Sequence, residues 1–260
     1  MISATLSSLR AAPLCALLAL APPFASQAAE PAPKVTIVSF GLFGDQSVFE
    51  SEAKGAAHIL ADRFHAGPVF VRYNTKRGGE ATAENLSSTL LEAAKGLDAQ
   101  HDVLMLVLTT HGSPRGLAVF AGKQRELLPP RSLAAMLERT GIQHRVVIIS
   151  ACYSGIFIPR LANPDTLVIT AADADHPSFG CQDRVQWTYF GDAFFNTALR
   201  HTGNLAAAFA EAKTLVRQRE LRNGFEPSNP QVAGGENIEP LLQSAAVGRA
   251  PGVPSPAAVK

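Results

Sequence analysis

The sequence predicts an α/β fold, with a mostly parallel central sheet covered by helices on both faces. Three observations lead there. Short apolar, β-branched runs alternate with segments of helical length. Two of those runs, Val103–Leu108 and the middle of Arg145–Ser150, are apolar at consecutive rather than alternate positions, which marks strands buried on both sides. The chain has 260 residues and 47% apolar content, enough for one sizeable core. Charged residues make up 17%, below the usual share of about a quarter, so the domain should be compact.

Taken in order, Lys34–Phe40 reads as the first strand and Gly41–Gln46 as a loop. Ser47 is suited to N-cap a helix to Phe64, whose apolar face is Phe49, Ala53, Ala56, Ala57 and Leu60. Val69–Tyr73 is a second strand. Thr82 caps a helix to Leu97, with Glu84 near its positive end. Val103–Leu108 is the third strand. Gly116–Leu128 reads as a β-hairpin turning at Gly122-Lys123, and Arg131–Thr140 as a helix stopped by Gly141. Arg145–Ser150 and Thr166–Ala171 are the fourth and fifth strands. A polar loop from Asp173 to Gln186 leads to helices over Asp192–Arg200 and Asn204–Arg222.

Residues 1–29 read as a signal peptide. Arg10 supplies the positive n-region, Ala11–Ala21 the apolar h-region, and Ser26-Gln27-Ala28 the small residues of a cleavage site. The h-region is shorter than the ~18 apolar residues a membrane span needs, and no later segment is long and apolar enough. This predicts an exported protein, periplasmic or secreted. The domain then spans 33–245, and the Pro-, Ala- and Gly-rich stretch 246–260 reads as a disordered tail. A formal net charge of +1 gives no field for nucleic acid or an anionic membrane surface. Of three cysteines, Cys15 leaves with the signal. Cys152 and Cys181 remain, either as a disulfide or as free thiols.

Ligands of open α/β sheets bind outside the carboxyl ends of the strands. His111 and Cys152 each lie just past such an end, in Thr109-Thr110-His111-Gly112 and Ala151-Cys152-Tyr153-Ser154-Gly155. If the two strands are neighbours, thiol and imidazole emerge at one rim. A cysteine attacks as thiolate, and its ordinary pKa of about 8.5 calls for a base close by. The short helical turn expected from Gly155 to Leu161 would add about 0.3–1 kcal/mol through its dipole. Gly112, without a side chain, can turn its N–H to a substrate carbonyl and form an oxyanion hole with the N–H of Cys152. One such donor contributes about 2.7–4 kcal/mol in acyl transfer. Taken singly, a strand-end cysteine is most often an inert core residue. Two Gly-flanked motifs at two strand ends are a far less common combination.

Thr109-Thr110-His111-Gly112-Ser113 and Ile149-Ser150-Ala151-Cys152-Tyr153-Ser154-Gly155 resemble the His-Gly and Ala-Cys-x-Ser-Gly motifs of the legumain family of asparaginyl endopeptidases and glycosylphosphatidylinositol transamidase subunits. Thr170-Ala171-Ala172, Ser178-Phe179-Gly180-Cys181 and Tyr189-Phe190-Gly191-Asp192 extend the likeness, which runs from about Val35 to Leu221. The resemblance implies a caspase-like three-layer sandwich that cleaves peptide bonds with His111 as base and Cys152 as nucleophile. It implies Gln46 as the group orienting the histidine; Asp45 is equally suited chemically. It implies substrate-facing roles for Asp192, Ser178 and Ser150, and a non-catalytic Cys181, against a Cys152–Cys181 bridge. The family's asparagine pocket has an arginine and two acids. Here Val48 and Ser150 stand at the arginine and one acid position, leaving Asp192 and a pocket suited to a basic or small polar side chain.

The other histidines show no spacing that would bind a metal, and no cofactor is implied. Arg115 reads as solvated and Trp187 as packing. A non-catalytic caspase-like binding module and a transpeptidase or transamidase are the competing functions. Oligomeric state, natural substrate and any need for processing carry no signal in the sequence.

Overall fold

The computed structural model describes Met1 and residues 32–247. The chain divides after Glu30, and the fold is that of the second unit, Pro31–Lys260. The signal peptide expected over 1–29 falls outside the described residues, apart from Met1. So does the expected tail, apart from its first two residues.

The strands are β1 (Val35–Gly41), β2 (Val69–Thr75), β3 (Gly78–Gly79), β4 (Val103–Thr109), β5 (Gly112–Ser113), β6 (Gly116–Ala121), β7 (Gln124–Leu128), β8 (His144–Ser150), β9 (Thr166–Thr170) and β10 (Gln231–Ala233). The helices are α1 (Ser47–Phe64), α2 (Ala83–Ala94), α3 (Pro130–Glu138), α4 (Ile158–Leu161), α5 (Tyr189–Gly191), α6 (Leu199–His201), α7 (Leu205–Arg222) and α8 (Ile238–Val247). A 3-10 turn over Ser154–Phe157 precedes α4, and a π-helical stretch over Asp192–Ala198 joins α5 to α6.

The central sheet has seven strands in the order β10-β9-β8-β4-β1-β2-β3. Its five inner strands are parallel and both edges antiparallel. Residues alternate between two apolar cores. Ile37, Met105, Val107 and Ile148 face one with α1, the π stretch, α7 and α8; Val38, Leu106, Leu108 and Val147 face the other with α2, α3 and α4. Such double coverage is why Val103–Leu108 of β4 and Val146–Ile149 of β8 are apolar without a break. A second sheet, β5-β6-β7, is the expected hairpin with a short strand added.

Several boundaries differ from expectation. The N-cap of α1 is Gln46 and makes no side-chain cap. The Ser47 N–H and hydroxyl both donate to Asp183 Oδ1, each at 3.0 Å, so a distant carboxylate serves the positive end of α1. Thr82 does cap α2, accepting from the Asn85 N–H at 3.1 Å, but the helix ends at Ala94 and its last turn closes short, Leu97 N–H to Ala94 O. The helix expected from Asp192 begins at Tyr189, because the Thr188 hydroxyl accepts from the Gly191 N–H at 2.9 Å. Strands β3, β5 and β10 are too short to show a period, and α8 was unforeseen behind Gly234-Gly235 with Pro240 inside it.

Candidate active site

β4 and β8 are neighbours, paired in parallel from Val103↔His144 to Thr109↔Ser150. His111 and Cys152 each follow two residues beyond that last pair, so equal offsets bring both to one rim. The loops touch: a Cβ on Gly112 would lie 1.9 Å from the Cys152 carbonyl oxygen. Glycine is thus demanded here by close backbone approach, a reason separate from any oxyanion role. The His111 loop is fixed by Thr110 N–H to Ser150 O (3.2 Å), Thr110 Oγ1 to Ala118 O (2.6 Å) and Ala118 N–H to His111 O (2.9 Å).

The imidazole stands edge-on to two phenyl rings, Phe43 at 4.6 Å and Phe49 at 5.0 Å between centroids. Its Nε2 is hydrogen-bonded to Gln46 Oε1. An amide oxygen only accepts, so Nε2 carries the proton and Nδ1 is left as the basic nitrogen. Burial lowers the His111 pKa below 6.5, favouring the neutral ring. Asp45, the alternative orienter, points instead to Arg125 at 3.5 Å.

Cys152 and Cys181 are free thiols. The Ser178 N–H donates to Cys152 Sγ at 3.3 Å, and the Ser178 hydroxyl lies 3.8 Å from it. Sγ also lies 3.4 Å from the Ser178 carbonyl, an acceptor for the thiol form. Burial, then the charge of Cys152, raises the Cys181 pKa, so Cys181 stays a thiol. After Cys152, Tyr153 takes a left-handed backbone (φ 53, ψ 20), which costs a non-glycine residue about 1–2 kcal/mol. It is held by its N–H to His176 O at 2.9 Å. The turn beyond it is one 3-10 turn and one short α-helix, so the dipole at Cys152 is small.

The loop that carries Ser178 has its own polar frame. His176 Nδ1 bonds the Asp173 carboxylate at 2.7 and 2.8 Å, and Asn229 Nδ2 donates to the same carboxylate at 3.1 Å. Phe179 stacks on Phe225 at 4.2 Å, forming a partly exposed aromatic ledge next to Ser178. Trp187 packs over Gly55, as its aromatic surface suggests.

Asp192, expected to stand as a lone acid, is paired. Asp192 is bound by Arg219 Nη1 from α7 at 2.9 Å and by Asn196 Nδ2 at 2.8 Å, with the guanidinium stacked 4.0 Å over the Tyr189 ring. This arginine comes from α7, half-exposed, and not from the Val48 position. Ser150 Oγ lies 3.2 Å from Thr188 Oγ1, buried beneath the rim.

One further residue escaped the sequence. Glu52 is fully buried on α1. Thr109 Oγ1 donates to its Oε1 and the Thr188 N–H to its Oε2, both at 2.8 Å. Burial raises its pKa, opposed by hydrogen bonds from Ser150, Thr188 and Thr109. The signal was available: Glu52 falls three residues after Phe49 and four before Ala56, inside the apolar stripe.

Among the described residues, no group of three or more histidine, cysteine or acidic side chains is placed to hold a metal, and no helix is long and apolar enough to cross a membrane. The peptidase C13 family matches residues 77–237 of this chain, a span that contains both motifs. No curated protein sequence matches it. Among solved structures, caspase-1 from Spodoptera frugiperda superposes with a TM-score of 0.51 at 16% identity, over 78% of this chain and 86% of that one, a likeness of fold.

Proposed function

The chain belongs to the peptidase C13 family, and from that premise we propose that it is a cysteine endopeptidase with Cys152 as nucleophile and His111 as base. The observation that carries this reading is the equal offset of the two residues beyond the paired ends of β4 and β8. Nδ1 of His111 takes the Sγ proton as sulfur attacks the peptide carbonyl carbon. The oxyanion is received by the backbone N–H groups of Gly112 and Cys152. As the C–N bond breaks, imidazolium returns the proton to the leaving amine, and a thioester remains on Cys152. Water, activated by the same nitrogen, hydrolyses it. We place the reaction outside the cytoplasm, on the ground of the signal-like leader.

For the primary side chain, an Asp192 already neutralised by Arg219 attracts a basic residue less than a lone carboxylate would. A neutral polar side chain suits the pair better, and the Phe179–Phe225 ledge suits an apolar neighbour in the substrate. The test is direct. Purified protein should cleave a peptide library, and iodoacetamide should label Cys152 faster than Cys181. Cys152→Ala should abolish cleavage. An uncleaved library with an unreactive Cys152 would instead support a binding module.

A further inference from the structure

We propose that Glu52 is a positioning residue that sets the Cys152–His111 pair, through one buried carboxyl shared by the three chain segments that build the site. The proposal rests on the reading of that pair as catalytic. Each of its partners stands next to a working part. Thr109, which donates to Oε1, is two residues before His111. Ser150, which also bonds the carboxyl, is two residues before Cys152. Thr188, whose N–H donates to Oε2, heads the helix after the substrate loop, and its own N–H and hydroxyl are committed to Glu52 and Gly191.

The carboxyl is enclosed. It is 0% exposed, and a Cβ on Gly191 would lie 2.0 Å from Oε2, so that glycine leaves the space the acid fills. Its bonded partners are hydroxyls and an N–H, with no cation among them. A buried acid without a cation is a costly way to stabilise a core. What a carboxyl offers here is acceptor capacity: two oxygens bind donors from β4, β8 and the Thr188 cap at once, which an apolar side chain cannot do. Glu52 also lies on the same helix as Phe49, two turns from Gln46, so the imidazole contacts and the strand-end contacts move as one body.

The experiment uses the full chain and reads two things: the iodoacetamide alkylation rate of each cysteine by mass spectrometry, and kcat and KM for a cleaved peptide. In Glu52→Gln, a shape-preserving change, Cys152 alkylation and kcat should each fall about ten- to a hundredfold, since small misplacements of reacting groups cost that much. KM should stay within about twofold and Cys181 labelling should not change. Glu52→Asp, which keeps the carboxyl but shortens the reach, should recover less than half of the lost alkylation rate. If Glu52→Gln does not fold, Thr109→Val, which removes one donor without stranding another, carries the same test. A folded variant with Cys152 alkylation within about twofold of the parent overturns the proposal, and so does an equal slowing at both cysteines, which would mean general loosening. Should the parent cleave no peptide, the endopeptidase reading fails, while the alkylation rates still decide the role of Glu52.

Discussion

His111 packs edge-on against two phenyl rings, and burial holds its pKa below the ordinary 6.5. On the proposed reading, protonation removes the base, so kcat/KM should fall on the acid side with an apparent pKa below 6.5. The stability effect has the same direction. As pH falls, the unfolded chain takes up this proton first, so stability drops between 6.5 and the lowered folded value. His111→Gln should remove that slope in urea titrations at graded pH. On the proposal that Asp192 walls the primary pocket, Arg219→Ala frees its carboxylate and should shift the peptide preference toward lysine and arginine; an unchanged profile would place the pair outside the pocket. Cys152 and His111 are legible in the sequence because each is a reactive type just past an uninterrupted apolar strand. The Arg219–Asp192 pair is not, because nothing in an 18-residue helix rich in charge says which arginine meets that acid.

Helix α1 concentrates more of the site than any pattern in it suggests. Gln46 binds the imidazole, Phe49 packs against it, Glu52 lies under both strand ends, and Ser47 is tied to Asp183 in the loop after Ser178. Asp183, accepting first from the Ser47 N–H and then from Lys76, is held well below the usual carboxylate range. Phe49 is 1% exposed. Phe49→Ala should therefore lower unfolding stability by about 3–5 kcal/mol in denaturant titration. It should also lower kcat in what remains folded, because the imidazole loses one wall. The period of α1 was readable, but its cap was not. Ser47 is a good capping type, yet its hydroxyl is drawn to a residue 136 positions away, a contact no local rule contains. The π stretch at Asp192–Ala198 is equally invisible to a 3.6-residue period.

At the scale of the molecule, the alternation of strands and helices predicts a mostly parallel sheet with helices on both faces, and the sheet has them. What alternation leaves open is strand order. Only the structure puts β8 beside β4, and the site depends on that adjacency. The two edges, β3 and β10, are short antiparallel strands whose partners are set by the sheet already formed. The hairpin β6–β7 turns at Gly122 with an exposed Lys123, between the segment bearing His111 and the one bearing Cys152. A polypeptide severed there would leave each half with one of the two reacting groups and one of the two adjoining strands. Neither half alone should cleave peptide. Mixed together, they should regain turnover only as fast as β4 and β8 zip, so catalysis would become a clock for the assembly of the sheet.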